Sequence, residues 1–192
     1  MGNKLQSVPQ DYPTVNPSLM FEDSKKAIDF YKKVFDAEER YLLEYNNRVV
    51  HGEIKIGNSV VMMADEIPGM SMGMKSAKDI SGLPVTLYVY VKNVDETLAK
   101  AIKLGAKEIY PLKTQFYGDR VGAITDPFGY NWTIATHVKN VSQEEIQKNL
   151  PIAMEEMAKS TPETNKTVDA FWEYKQNAVD WINQTSNRKP FY

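Results

Sequence analysis

Two stretches of this chain, offset by about 70 residues, run through the same order of elements, and that repeat limits the fold more than any other feature. The first reads strand, helix and three strands. Thr14 to Phe21 is extended, and Pro17 within it suits a strand start or edge. Asp23 or Ser24 caps a helix from Lys25 to Phe35, whose Ala27, Ile28, Tyr31, Val34 and Phe35 share one face. Glu39 to Tyr45 and Val49 to Ile56 follow as strands joined at Asn46-Asn47, and Gly57-Asn58 turns into Ser59 to Ala64. The second stretch repeats this plan. It has a strand from Val85 to Val91, a helix from Asn93 to Leu104 stopped by Gly105, and strands at Lys107 to Leu112, Arg120 to Thr125 and Asn131 to Thr136. The turn Asp126-Pro127-Phe128-Gly129 joins the last two, with a fixed φ at Pro127 and a residue tolerant of positive φ at Gly129. Phe21-Glu22-Asp23 matches Val91-Lys92-Asn93, Asp36-Ala37 matches Gly105-Ala106, and Gly52 matches Gly122.

The repeat predicts an α+β protein built from paired βαβββ modules that form a curled eight-stranded mixed sheet, with helices on one face and a cup on the other. The boundaries are an N-terminal arm at 1–13, a first module at 14–66, a linker at 67–83, a second module at 84–137 and a helical C-terminal extension at 138–192. In the linker, Met70, Met72 and Met74 serve either as an adaptable lid or as a loop packed on the nearest apolar surface. In the extension, Ser142-Gln143-Glu144-Glu145 is a capping box, and Pro151 ends or kinks the helix it opens. Val168, Phe171, Trp172, Val179 and Ile182 trace an apolar stripe that requires a covering surface, in its own chain, in a second copy or in another protein.

Several function classes fall away. A formal net charge of -2 leaves no broad basic field, so nucleic acid is not an expected partner. No apolar run approaches the roughly 20 residues that cross a bilayer, and Met1 to Gln10 lacks the apolar core of a secretory signal. A cytoplasmic location is expected. Absence of cysteine excludes disulfides, thiolate chemistry and cysteine zinc sites, and only His51 and His137 can supply imidazole. There is no P-loop, no dinucleotide fingerprint and no hydrolase elbow.

The segments Ala27 to Phe35, His51 to Met62, Gln115 to Arg120 and Asp126 to Trp132, followed by Ala135-Thr136-His137, resemble the vicinal oxygen chelate superfamily. That superfamily includes glyoxalase I, extradiol dioxygenases, fosfomycin-modifying enzymes and bleomycin-resistance proteins. Within it, the segments are most similar to the PhnB-like group. The resemblance implies the glyoxalase/bleomycin-resistance fold over roughly residues 10 to 145. It also implies a divalent metal held by one residue from the first and one from the last strand of each module. Those positions fall on Asn16, Met62, Thr86 and Thr133, where the superfamily would offer His, Gln or Glu. An amide, two hydroxyls and a thioether bring no charge, so no metal and no cofactor is expected there.

A relocated set is conceivable: His51 and Glu53 lie two apart on one strand, and His137 ends the last one. The same three residues are the catalytic candidates for acid/base work. Their structural alternative pairs Glu53 with Arg48, Lys55 or another neighbouring charge and leaves His51 hydrogen-bonded in its strand. The Gln115 to Arg120 loop lies near the cavity mouth in the PhnB-like group. Arg120 would suit a carboxylate or phosphonate ligand, or else Asp119 and Arg120 order the turn. Tyr88 and Tyr90 share the face of Thr86, whereas Trp132 points away from Thr133. The pocket set is therefore Asn16, Met62, Thr86, Tyr88, Gln115, Tyr117, Arg120 and Thr133. The expected function is metal-independent binding of a small aromatic or anionic molecule, with the two cups completed across a homodimer. The alternative is a lyase, isomerase or dioxygenase type enzyme working through relocated ligands or metal-free acid/base groups.

Overall fold

A computed structural model describes residues 7, 9–71, 73–80, 82 and 84–160, with the backbone alone described at 157–160. The chain divides into two compact units, Met1–Val141 and Ser142–Tyr192. The first holds both repeats. Its elements run β1 (Ser18–Phe21), α1 (Ser24–Phe35), β2 (Glu38–Tyr45), β3 (Arg48–Ile56), β4 (Ser59–Asp65), then β5 (Leu87–Tyr90), α2 (Val94–Lys103), β6 (Lys107–Thr114), β7 (Asp119–Thr125) and β8 (Asn131–His137). The eight strands form two four-stranded mixed sheets, ordered β1-β4-β3-β2 and β5-β8-β7-β6. In each, the first strand runs parallel to the last and the other pairs are antiparallel.

The ends of these elements follow from their residues. Asp23 accepts from Lys26 N and Asn93 from Glu96 N, so each helix starts on a side-chain cap. Helix α1 ends on Asp36 in the left-handed region (φ 52), where the second module uses Gly105 (φ 101). Asn46 and Asn47 take φ 47 and 62, the pair of positive values that a tight two-residue hairpin turn demands. Strands β1 and β5 are shorter than the sequence suggests. Pro13, Pro17 and Pro84 surround their starts and offer no N–H to a ladder.

Alternation sorts each strand into a helix-facing and an open face. Leu19, Phe21, Ile54, Val61 and Met63 of the first sheet, with Val89, Ile124, Trp132 and Ile134 of the second, join α1 and α2 in one core. Aromatic rings knit the modules together: Trp132 lies 4.7 Å from Phe35 and 5.3 Å from Tyr31, and Tyr130 lies 5.2 Å from Phe21. The Asp126 turn completes this junction. Asp126 Oδ2 accepts from Tyr31 Oη at 2.6 Å and Trp132 Nε1 at 3.0 Å, while Oδ1 accepts from Phe128 N and Tyr130 N, both at 2.9 Å. Burial pushes its carboxyl above the usual range, and those donors pull it back. Tyr130 also serves β1, an edge strand, by donating to Met20 O and accepting from Met20 N.

The linker lies partly on this turn. A Cβ at Gly129 would stand 3.0 Å from the Ala77 carbonyl carbon, and Ala77 itself is buried. Met70 and Met74 are exposed, and Met72 lies outside the described residues. The second unit contains α3 (Gln143–Ser160), with Ser142 Oγ accepting from Glu145 N at its start and Pro151 inside it rather than at its end. The apolar stripe from Val168 to Ile182 lies outside the described residues.

Candidate functional site

The open faces carry most of the candidate residues. On the first sheet, the register places Glu53 between Tyr41 and Met62, and His51 opposite Leu43. Residues opposed in a ladder project to the same side. The extended chain before β1 crosses this face, and an opening of about 410 Å³ is lined by Tyr12, Asn16, His51, Glu53 and Met62, among others. Four sequence candidates therefore meet here: Asn16, His51, Glu53 and Met62.

Glu53 is the hub. It is 5% exposed, accepts from Tyr12 Oη at 2.7 Å, and lies 3.0 Å from His51 Nε2 and 3.8 Å from Arg40. Burial raises its carboxyl, but the His51 and Tyr12 bonds and the nearby charges outweigh it, leaving a lowered pKa. Its partners are thus His51, Tyr12 and Arg40. Arg48 is engaged elsewhere, on Asp65 at 3.3 Å and Glu66 O at 2.7 Å.

On the second sheet, the open face holds Tyr88, Tyr90, Thr133, Asp119 and His137. Tyr90 Oη donates to Asp119 Oδ2 at 2.7 Å, His137 Nδ1 meets Asp119 Oδ1 at 2.7 Å, and His137 Nε2 meets Asn140 Oδ1 at 2.8 Å. Both imidazole nitrogens are therefore taken. Tyr88 stands 5.2 Å from Tyr90; Tyr88 is pushed up to about 12, chiefly by desolvation and then by Tyr90, and Tyr117 up to about 12, chiefly by desolvation and then by Tyr88. Gln115 Nε2 donates to Tyr110 Oη at 3.0 Å. Arg120 sits apart. Its guanidinium grips Asp95 of α2 through two bonds of 2.6 and 2.8 Å, on the helix-facing side of the sheet.

The four inferred metal positions do not form one set of donors. Register pairs Ser18 with Met62 and Tyr88 with Thr133, so Asn16 and Thr86 fall just before the first strands rather than in them. Asn16 spends its amide N–H on Pro13 O at 2.7 Å, and the Thr86 hydroxyl donates to Asn131 O at 3.2 Å. His137, at the end of β8, is held by Asp119 of β7 and by Asn140, whereas His51 and Glu53 of β3 meet each other in the other sheet. Among the described residues no three His, Asp or Glu side chains converge as a cation would require.

Sequence reading missed Tyr12 and Arg40. The arm before β1 has no periodicity, and nothing local ties residue 12 to residue 53. It also left Asp119 in a turn; starting the strand at Asp119 and counting the register back from the Asp126 turn would have placed it opposite His137.

Comparison with known proteins matches residues 15–134 to the family described as Glyoxalase/Bleomycin resistance protein/Dioxygenase superfamily. The uncharacterized protein Mb0911c of Mycobacterium bovis is 35% identical over 137 residues, covering 70% of this chain and 90% of that one. Among solved structures, a putative 3-demethylubiquinone-9 3-methyltransferase, PhnB protein, from Bacillus cereus superposes with a TM-score of 0.52 at 20% identity, covering 65% of this chain and 99% of its own. The fosfomycin resistance protein FosX of Listeria monocytogenes, complexed with Mn(II) and sulfate, gives a TM-score of 0.52 at 16% identity, covering 71% of this chain and 96% of its own. At those identities the two structures speak to the fold alone.

Proposed function

Because the chain belongs to the Glyoxalase/Bleomycin resistance protein/Dioxygenase superfamily, we propose that it is a PhnB-like small-molecule-binding protein that works without a divalent metal. The observation that carries this reading is the donor set at the inferred metal positions. Met62 offers a thioether, Asn16 an amide whose N–H is spent on Pro13 O, and Thr86 and Thr133 neutral hydroxyls, the former donating to Asn131 O. None of these four groups brings a charge to offset the lost hydration of a divalent cation, and the nearby Glu53 is already engaged by Tyr12, His51 and Arg40. The residues present do not fit such an ion. What the open faces do offer is aromatic surface beside hydrogen-bonding groups, the usual makeup of a small-molecule site.

The test is elemental analysis of protein purified with Zn, Ni, Mn and Fe supplied, followed by a ligand screen by thermal shift. Stoichiometric metal held by Asn16, Met62, Thr86 and Thr133 would defeat the reading. Saturable binding of a small molecule without its consumption supports it.

A second reading is favoured by one feature, the His51–Glu53 contact of 3.0 Å within an opening. A carboxylate fixing one ring nitrogen leaves the other available as a base. Turnover of a bound molecule that His51→Ala abolishes while binding survives would establish an enzyme.

We also propose that a second copy covers the open faces. Tyr41, Leu43, Tyr88 and Tyr90 are all exposed on them, and a two-fold pairing would bury the same patch from each copy. Sedimentation equilibrium reads this directly, and a monomer at all concentrations would sink it. A cytoplasmic site of action fits a chain without cysteine. No helix among the described residues is long and apolar enough to cross a membrane.

A further inference from the structure

We propose that Tyr12 is a built-in stand-in for the ligand of the first-module opening, and that this opening accepts a neutral phenol-type ring rather than an anion. The inference rests on the small-molecule-binding reading and names the chemistry of one of its two faces.

Tyr12 belongs to the arm that precedes β1, yet its side chain is held like a guest. Its hydroxyl donates to Glu53 Oε2 at 2.7 Å, and the Arg40 guanidinium lies 4.3 Å from the centre of its ring. A buried carboxylate below and a cation over the ring face make a seat for an electron-rich ring with a donor. The same carboxylate repels an anionic group placed where the Tyr12 hydroxyl sits, since that group would meet Glu53 Oε2 with no donor to offer.

Two further atoms show that the arm fills this seat incompletely. Asn16 Oδ1 and Arg40 Nη1 are buried without hydrogen-bond partners among the described residues, Arg40 Nη1 having Glu53 only as an ion-pair partner at 3.8 Å, beyond hydrogen-bond distance. Buried polar atoms left unpaired are costly, so a ligand that brings a donor to Asn16 and an acceptor to Arg40 has something to gain that Tyr12 does not supply. A ring carrying its hydroxyl toward Glu53 and a second polar substituent meets that need. Tyr12 is also the residue such a ligand must displace. Its tether to β1 gives it a high local concentration, so the arm sets a threshold for entry.

The second module offers no such seat. The carboxylate buried on its open face, Asp119, takes Tyr90 from its own sheet and His137 from its own last strand, with no residue borrowed from an arm among the described residues. The two open faces are thus unequal.

The experiment uses the full chain, wild type and Tyr12→Ala, titrated with 4-methylphenol, 4-methylanisole and 4-methylbenzoate by calorimetry. Tyr12→Ala is expected to bind 4-methylphenol at least tenfold more tightly than wild type does, and about tenfold more tightly than 4-methylanisole, which lacks the donor. Glu53→Gln in that background is expected to shrink the preference, and 4-methylbenzoate to bind weakest. Equal affinity for the phenol and the anisole would mean a simple cavity and would overturn the proposal. Should Tyr12→Ala fail to fold, Tyr12→Phe keeps the ring and removes the bond to Glu53. It is expected to admit 4-methylphenol about tenfold more tightly than wild type, and an unchanged affinity overturns the proposal equally. A ligand from the thermal-shift screen that binds wild type and Tyr12→Ala alike would sink this inference while leaving the small-molecule reading intact.

Discussion

Helix α1 begins on a carboxylate and helix α2 on a hydroxyl, at matching places in the two modules. Ser24 N donates to Asp65 Oδ1 at 2.7 Å, whereas Val94 N donates to Thr136 Oγ1 at 2.9 Å. Asp65 does more than this one task. It accepts from Val49 N at 2.9 Å and faces Arg48 at 3.3 Å, so one buried side chain ties α1, β3 and β4 together. Thr136 donates its own hydroxyl to Val91 O at 2.9 Å, so it ties only the start of α2 and the residue that follows β5 to β8. The same topology therefore tolerates either acceptor, provided the first N–H of the helix is met. What differs is how much of the module hangs on it. The first module relies on a charge held inside itself, while the second contributes its largest ring, Trp132, to a core shared with α1.

The largest effect should come from that ring. Trp132 is 3% exposed, packs on Tyr31 and Phe35, and donates to Asp126. Trp132→Ala should cost about 3–5 kcal/mol by urea denaturation. The matching residue of β4, Val61, is buried as well, but Val61→Ala removes far less surface and should cost about 2 kcal/mol. Equal costs would mean that the two modules fold on separate cores and that the shared aromatic junction is incidental.

Next comes the pair of helix acceptors. Asp65→Ala strands two buried N–H groups, those of Ser24 and Val49, and should cost about 2–4 kcal/mol; Thr136→Ala strands one and should cost about 1–2 kcal/mol. Measured by the same method, a Thr136 cost at or above that of Asp65 would reverse the contrast between the modules.

These contrasts explain what could be read from the chain alone. Element order was legible because each module carries local signals: caps at Asp23 and Asn93, a helix stop at Gly105, and turns at Asn46-Asn47 and Asp126-Pro127-Phe128-Gly129. Alternation also placed Trp132 on the helix-facing side and Tyr88 with Tyr90 on the open one. The site was less legible because its contacts are long in sequence. Tyr12 reaches Glu53 from 41 residues away and Tyr90 reaches Asp119 from 29, with no periodicity linking either pair. Arg120 shows the same limit from the other side. Beside Asp119 in sequence it reads as part of one charged turn, yet alternation sends the two to opposite faces, one to His137 and the other to Asp95.

The smallest effect concerns His137 and separates the two modules by their imidazoles. Both ring nitrogens of His137 meet oxygens, Asp119 Oδ1 and Asn140 Oδ1, and both bonds form together only when the ring carries two protons. The Asn140 bond first, and then the Asp119 bond, raise its pKa above the ordinary 6.5. A folded value above the unfolded one means that the folded protein holds this proton more tightly. The resulting stability is complete below pH 6.5 and is lost as pH rises through the folded value. Because the ring is half exposed, solvent screens the interaction and the change in the urea midpoint between pH 6 and pH 8 should be small. It should shrink further in His137→Gln. Ring-proton NMR gives the sharper measure: the His137 midpoint should lie above 6.5 in wild type and move down in Asn140→Ala. A midpoint that ignores Asn140 would show that the ring swings free of the second module's network, and the contrast with the His51–Glu53 pair of the first module would then narrow to Tyr12.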